Sequence, residues 1–137
     1  MSTIEKQPFL RYYLSVRIFK NTWFSRFAAK EGIEDSELKD IVSNTLETRQ
    51  AEANLGGGVY KVRVARPGEG KSGAYRVIVF FKSEFRTFFV YGFEKSDRAN
   101  ISPSEKRIFK KEAKDDFSLT DTKIIARIAK GTLLEVL

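Results

Sequence analysis

Three apolar segments between residues 59 and 93 decide the fold: VYKVRVA (59–65), YRVIVFF (75–81) and TFFVYGF (87–93). The first alternates apolar and basic residues, which predicts a strand with its valines in the core and Lys61 and Arg63 together on the opposite face. The other two are apolar at nearly every position, which predicts central strands covered on both sides.

Helices and further strands are predicted outward from these segments. In chain order they are a strand at 15–20, a helix from a cap at Asn21 to Gly32, a helix at about 35–48, a loop at 66–73, a helix from Ser102 to about 116, a helix at about 121–130 and a strand at 133–136. Ser102, Pro103 and Glu105 form the strongest helix start, because they fit a capping box with proline at the first helical position. The fold class is therefore α+β, a mostly antiparallel sheet flanked by helices.

Composition limits the chemistry that is available. The 137 residues fit one domain, which we place at 15–137, with an N-terminal extension at 1–14. The chain has no Cys and no His, which excludes disulfides, thiolate metal sites and a histidine general base. We expect neither a metal nor another cofactor, and any catalysis must use Lys, Arg, Tyr, Ser, Thr or carboxylates.

The net charge of +7 indicates a polyanionic partner such as nucleic acid, although simple solubility explains it equally well. No run of 18 apolar residues is present, and the N-terminal segment lacks a signal-peptide pattern, so we expect a cytoplasmic protein without a membrane partner.

Basic residues are concentrated in the strand predicted at 59–65, in the loop after it and at the start of the next strand. Five Lys or Arg residues and one Glu give residues 56–76 a net charge of +4, with Tyr60 and Tyr75 interleaved. Cations neutralise phosphates and aromatic rings stack on unpaired bases, so the segment favours RNA binding. The alternative is a solvated strand face beside an exposed loop.

Residues 65–72 (ARPGEGKS) match a relaxed phosphate-loop pattern. That motif requires a helix directly after it, and the residues from Tyr75 onward predict a strand. We interpret the match as chance.

A second polar segment, residues 91–101, follows the last apolar strand. Lys95 and Arg98 reach the surface of Lys61 and Arg63 if the two strands are neighbours. Taken alone, the segment is more typical of an ordinary loop between a strand and a helix.

Together these segments resemble the HigB-like branch of the RelE toxins. The resemblance is carried by GGGVYKVRVARPG (56–68), GKSG (70–73), Tyr75-Arg76 before an apolar strand, Tyr91-Gly92-Phe93, then Lys95, Arg98 and Asn100 to Ser102, and is supported by WFSRFAAKEG (23–32). It covers residues 15–137. It implies a RelE-like, microbial-ribonuclease-like fold and a toxin from a type II toxin–antitoxin module.

The same resemblance implies a function and its partners. Such toxins are metal-independent endoribonucleases, or mRNA interferases, that cleave mRNA in the ribosomal A site and inhibit translation. The expected partners are mRNA, the ribosome and a cognate antitoxin, often of the helix-turn-helix type.

Site residues follow by position within the resemblance. Lys61 and Arg63 match basic strand positions of the RelE toxins, and Arg76 matches an arginine on the following strand. We expect Arg63 and Arg76 to stabilise the phosphate, Lys61 to act as general base and Lys95 to act as general acid. The expected RNA-binding residues are Arg66, Lys71, Tyr91 and Arg98.

Two alternatives stay open. ParE-like relatives share the fold but act by binding a protein target such as gyrase, without ribonuclease activity. A degenerate binding module that has lost its toxicity is the other.

Overall fold

The computed structural model describes residues 17–66 and 70–137, with side chains described except at residues 66 and 70–73. The described chain forms a six-stranded sheet with four α-helices and one π-helical turn. In order these are β1 (Ile18–Asn21), α1 (Thr22–Glu31), α2 (Asp35–Ile41), the π-helical turn (Val42–Leu46), β2 (Ala53–Gly56), β3 (Val59–Arg66), β4 (Gly70–Phe81), β5 (Thr87–Glu94), α3 (Pro103–Phe117), α4 (Asp121–Lys130) and β6 (Leu133–Val136).

The strand order in the sheet is β2-β3-β4-β5-β1-β6. Neighbouring strands are antiparallel except β1 and β5, which are parallel. The two most apolar strands, β4 and β5, occupy the centre, as their sequences predict. The α+β expectation is confirmed.

A hydrophobic cluster lies on each side of the sheet. One side is covered by α1, α2 and the π-helical turn, which contribute Phe24, Leu38 and Leu46 to a cluster with valines of β3 and β4. The other side is covered by α3 and α4, which contribute Ala113, Phe117 and Ile124 to a cluster with Val59, Ile78, Phe80 and Phe88. Helices on both faces explain why β4 from Val77 to Phe81 and β5 from Phe88 to Phe93 are apolar on both sides of the sheet.

Helix ends follow the local sequence. The side chain of Asn21 accepts a hydrogen bond from the backbone N–H of Phe24, and Gly32 ends α1 with a φ of 72°. Ser102 and Glu105 form the expected reciprocal capping box at the start of α3. The predicted limits of α4 and β6 are confirmed.

Three boundaries differ from the sequence prediction. The predicted helix at 35–48 is α-helical only to Ile41 and continues as the π-helical turn. The predicted loop at 66–73 was too long, because β3 extends to Arg66 and β4 begins at Gly70. The strand predicted at 15–20 is β1 at Ile18–Asn21, so Arg17 precedes it, and residues 15–16 lie outside the described residues. The chance phosphate-loop match leads into a strand, as expected.

Strand β2 was not predicted. It contains only four residues, ANLG, and pairs with β3 at the edge of the sheet. Its sequence has little apolar alternation, because an edge strand with half-exposed side chains does not need it. Gly57 and Gly58, both with positive φ, form the turn into β3.

A β-bulge in β5 determines which side chains share a face. Phe89 is paired with Val79, but Tyr91 is paired with the preceding residue of β4, Ile78, so Val90 is the extra residue. A bulge of this kind changes the face on which the following side chains lie. Tyr91 therefore lies on the same face as Ile78, the side covered by α3.

Candidate functional site

Three basic side chains, Lys61, Arg63 and Arg76, lie on one face of the β3–β4 pair, which we call the cationic face. Lys61 and Arg63 share the side of β3 on which Val59 packs beneath α3. The Cα of Arg63 is paired with that of Arg76, which lies on the same side as Ile78. Alternation along each strand therefore brings these cations together, as the sequence pattern predicts for Lys61 and Arg63 and as the resemblance implies for Arg76.

Arg76 is the buried member of the cationic face, with 5% of its surface exposed. Its Nε donates a hydrogen bond of 2.6 Å to Oε2 of Glu52. Its Nη1 is buried and has no hydrogen-bond partner among the described residues. An unmade buried hydrogen bond costs about 1–3 kcal/mol, and a bound oxyanion would remove that cost.

Lys61 is held next to Arg76. Its Nζ donates to Oδ1 of Asn100 at 3.3 Å and lies 3.9 Å from Oε2 of Glu52. Its side chain is 13% exposed, so only a small part of it contacts solvent. Asn100 belongs to the segment between β5 and α3, and so this segment contributes to the position of Lys61.

Glu52 is the site residue that sequence reasoning missed. It immediately precedes β2, and the next residue, Ala53, is paired with Lys61. With β2 unrecognised, nothing in the sequence placed Glu52 beside the cations. The useful signal was GGG (56–58) before a strand, since a glycine-rich turn permits a hairpin with the preceding residues.

One carboxylate does not neutralise this group. Lys61, Arg63 and Arg76 carry three positive charges and Glu52 carries one negative charge, so these four side chains sum to +2. Arg63 is exposed on the same face and also has interactions of its own. Lys61 and Arg76 share the single negative charge of Glu52, so this pair alone keeps one positive charge in excess that can attract a polyanion with the ion pair formed.

Arg98 anchors the segment that carries Asn100. Its guanidinium donates to both carboxylate oxygens of Glu105, to the Tyr91 hydroxyl and to the Asn100 carbonyl. The hydrogen bond from Arg98, with further ones from Ser102, lowers the pKa of Glu105 to about 2. The described hydrogen bonds of the Arg98 guanidinium thus go to protein acceptors. The expected role of Arg98 in RNA binding stays a prediction.

Tyr91 is half-buried rather than an open stacking surface. Its ring centroid lies 4.4 Å from that of Trp23 and 5.7 Å from that of Phe109. The Arg98 guanidinium lies 6.0 Å from the Tyr91 ring centroid. Trp23 is the more exposed aromatic residue, at 44%. The role of Tyr91 in RNA binding also stays a prediction.

The remaining predicted residues are not joined to the cationic face by described contacts. Lys95 is exposed in the turn after β5, two residues beyond Phe93, whose Cα is paired with that of Arg76. The side chains of Arg66 and Lys71 lie outside the described residues. The roles of all three stay predictions.

A surface cavity of about 510 Å³ lies on the opposite side of the sheet, lined by Leu46, Arg49, Tyr60, Phe81 and their neighbours. It is therefore separate from the cationic face. No group of three or more carboxylates suited to a metal ion occurs among the described residues. Within residues 17–66 and 70–137, no helix is long and apolar enough to cross a membrane.

Comparison with known proteins identifies the family. Residues 16–136 match the family described as the RelE toxin of the RelE/RelB toxin–antitoxin system. No curated protein matches the sequence. The family match includes every element from β1 to β6 and all residues of the cationic face. This chain belongs to the RelE toxin family and is a toxin of a toxin–antitoxin system.

Proposed function

We propose that this toxin is a metal-independent endoribonuclease that cleaves mRNA on the ribosome and thereby inhibits translation. The proposal places it in the HigB-like branch and in the cytoplasm, where its substrate is found. Its partners would be mRNA, the ribosome and a cognate antitoxin of the helix-turn-helix type.

The observation that carries the proposal is the unpartnered Nη1 of Arg76 within a group of cations. RNA cleavage by its own 2′-hydroxyl builds negative charge on the phosphate in the transition state. Donors already oriented towards that charge stabilise it by several kcal/mol, because they need no reorganisation during the reaction. Arg76, with Arg63 beside it, fits this role.

Proton transfers complete the reaction. The 2′-oxygen attacks the adjacent phosphorus, its proton passes to a base, and the bond from phosphorus to the 5′-oxygen breaks. The products are a 2′,3′-cyclic phosphate and a 5′-hydroxyl that has taken a proton from an acid. Lys61 is our candidate base and Lys95 our candidate acid, while Arg66, Lys71, Tyr91 and Arg98 would contact the RNA.

The experiment compares growth and transcript integrity after the wild type or Arg76→Ala is induced in cells. We expect the wild type to stop growth with fragmented mRNA, and Arg76→Ala to permit growth with intact mRNA. Arg86→Ala is the matched control, because Arg86 is another buried arginine, and its described bonds go to Asp121 and the Leu119 carbonyl where α3 meets α4, not to the cationic face. At equal protein levels it should still fragment mRNA.

Growth arrest with intact transcripts would reject the ribonuclease and favour a protein target such as gyrase. Absence of arrest would favour a module without toxicity. A short neighbouring gene for a helix-turn-helix protein would support the expected antitoxin.

A further inference from the structure

We propose that Glu52 is a positioning residue that orients the Arg76 guanidinium so that its Nη1 faces the scissile phosphate. The inference rests on the proposed ribonuclease function and adds a residue that the sequence did not suggest. The juxtaposition that carries it is the Glu52 carboxylate at Nε of a buried arginine whose Nη1 is left without a partner in the described structure.

The geometry of the guanidinium separates the two tasks. The group is planar, and its Nε–H and Nη1–H bonds point from different parts of that plane. An acceptor at Nε therefore restricts rotation of the head group without occupying Nη1. The 2.6 Å bond from Nε to Oε2 of Glu52 is of the charge-assisted kind, which holds orientation well.

The position of Glu52 suits an orienting role. Glu52 precedes the edge strand β2, whereas Arg76 is on β4, with β3 between them. The Arg76 side chain must therefore extend across β3, the strand that carries Lys61 and Arg63. A carboxylate at the far side keeps the arginine in that extended position between the other cations.

Exposure of the pair supports the same conclusion. The Glu52 side chain is 34% exposed, while that of Arg76 is 7% exposed. Water can hydrate the carboxylate but reaches little of the guanidinium, so Arg76 depends on Glu52 more than the reverse. A purely structural pair would satisfy every buried donor, and this one leaves Nη1 unsatisfied among the described residues.

A double-mutant cycle tests the inference. Cleavage of mRNA on translating ribosomes is measured for the wild type, Glu52→Ala, Glu52→Gln, Arg76→Ala and the Glu52→Ala/Arg76→Ala pair. We expect Glu52→Ala to lower kcat by about 100-fold, the size of loss that a misplaced catalytic group causes. In the Arg76→Ala background, Glu52→Ala should cause no further loss, because it acts through that arginine.

Glu52→Gln separates positioning from proton transfer. The amide oxygen can still accept from Nε, so we expect kcat within about tenfold of the wild type. A general base would be lost equally in both variants, so Glu52→Gln as inactive as Glu52→Ala overturns the inference. An independent loss in the Arg76→Ala background would overturn it as well.

RNA affinity separates a positioning role of Glu52 from a fold defect. Glu52→Ala removes a negative charge, so a 2′-O-methyl RNA that cannot be cleaved should bind as tightly as to the wild type or more tightly. The matched control is Glu47→Ala, which makes the same change in charge on the opposite face, where Glu47 accepts from Ser83. It should leave kcat and RNA affinity within about twofold. Weaker RNA binding by Glu52→Ala contradicts the inference.

A failure of the proposed ribonuclease function can be distinguished from a failure of the inference about Glu52. If the wild type arrests growth and cleaves no RNA, the proposed function is wrong, and growth arrest becomes the readout of the same cycle. Equal and non-additive loss of toxicity in Glu52→Ala and Arg76→Ala would then retain Glu52 as the residue that positions Arg76. Additive losses would reject it.

Discussion

Arg76 is a buried cation at a position where a hydrophobic side chain would cost less free energy to bury during folding. Removing a guanidinium from water costs several kcal/mol, and a single carboxylate repays this only partly. Its unpartnered Nη1 adds a further cost within the described structure. We therefore expect Arg76 to serve ligand binding rather than folding.

Replacement of Arg76 by methionine tests this expectation. Arg76→Met removes the buried charge and the unsatisfied donor, and Glu52 keeps access to water and to Lys61. We expect a Tm no more than about 3 °C below the wild-type value, together with loss of detectable mRNA fragmentation in cells. Thermal unfolding followed by circular dichroism gives the Tm. A variant that fails to fold would show that the arginine is structural.

The sequence predicted Lys61, Arg63 and Arg76 as site residues but did not predict that Glu52 would pair with Arg76 and Lys61. Lys61 and Arg63 were placed correctly because strand alternation depends on local sequence alone. Glu52 was missed because its position depends on a tertiary pairing of an edge strand with weak local preference.

Helices with clear capping residues were predicted closely. Features that depend on how strands pair, such as the bulge in β5, were not predicted. The caps at Asn21 and Ser102 fixed α1 and α3, since a cap satisfies helix N–H groups through nearby residues. The bulge at Val90 had no signal in the apolar run of β5, yet it places Tyr91 on the same side as the cationic face. Through Tyr91 and Arg98, that bulge helps to fix the segment with Asn100.

Helix α3 contains a carboxylate that opposes folding at neutral pH. Burial raises the pKa of Asp116 to about 6 from an ordinary value of 3.8, against the effect of Arg127 at 3.6 Å. Glu112 and Asp115 raise it further. A carboxyl with a raised folded pKa favours folding while protonated, so its contribution is lost as pH rises from about 4 to 6.

Asp116→Asn should therefore stabilise the protein at neutral pH. We expect the free energy of unfolding to rise by about 1–3 kcal/mol at pH 7.5, and to change little at pH 4. Urea unfolding at both pH values measures the difference. Asp115→Asn, an exposed neighbour, is the control and should show a smaller change. An equal change at both pH values would contradict the assigned titration.

At the scale of the whole molecule, the sheet separates two surfaces. The side covered by α3 and α4 carries the cationic face beyond its hydrophobic cluster, and the other side carries the cavity lined by Arg49 and Tyr60. The fold class followed from three apolar strands and helix caps. The position of each surface required the strand order, which sequence periodicity does not contain.

The salt dependence of RNA affinity tests which of these two surfaces binds RNA. Each phosphate contact on a single strand contributes about 0.7 to the slope of log affinity against log salt concentration. We expect Arg63→Ala to reduce that slope by about 0.7 for a 2′-O-methyl RNA, and Arg49→Ala to leave it unchanged. Fluorescence anisotropy at several salt concentrations measures it. Equal effects of the two substitutions would place RNA elsewhere.

The central claim is that the Arg76-centred cationic face cleaves mRNA through the RNA 2′-hydroxyl. The most direct measurement maps the chemical ends of mRNA fragments from cells expressing the wild type or Arg76→Met at equal levels. We predict new 5′-hydroxyl and 2′,3′-cyclic phosphate ends with the wild type and none with the variant. Fragments with 5′-phosphate ends, or the same fragments with Arg76→Met, would contradict the account.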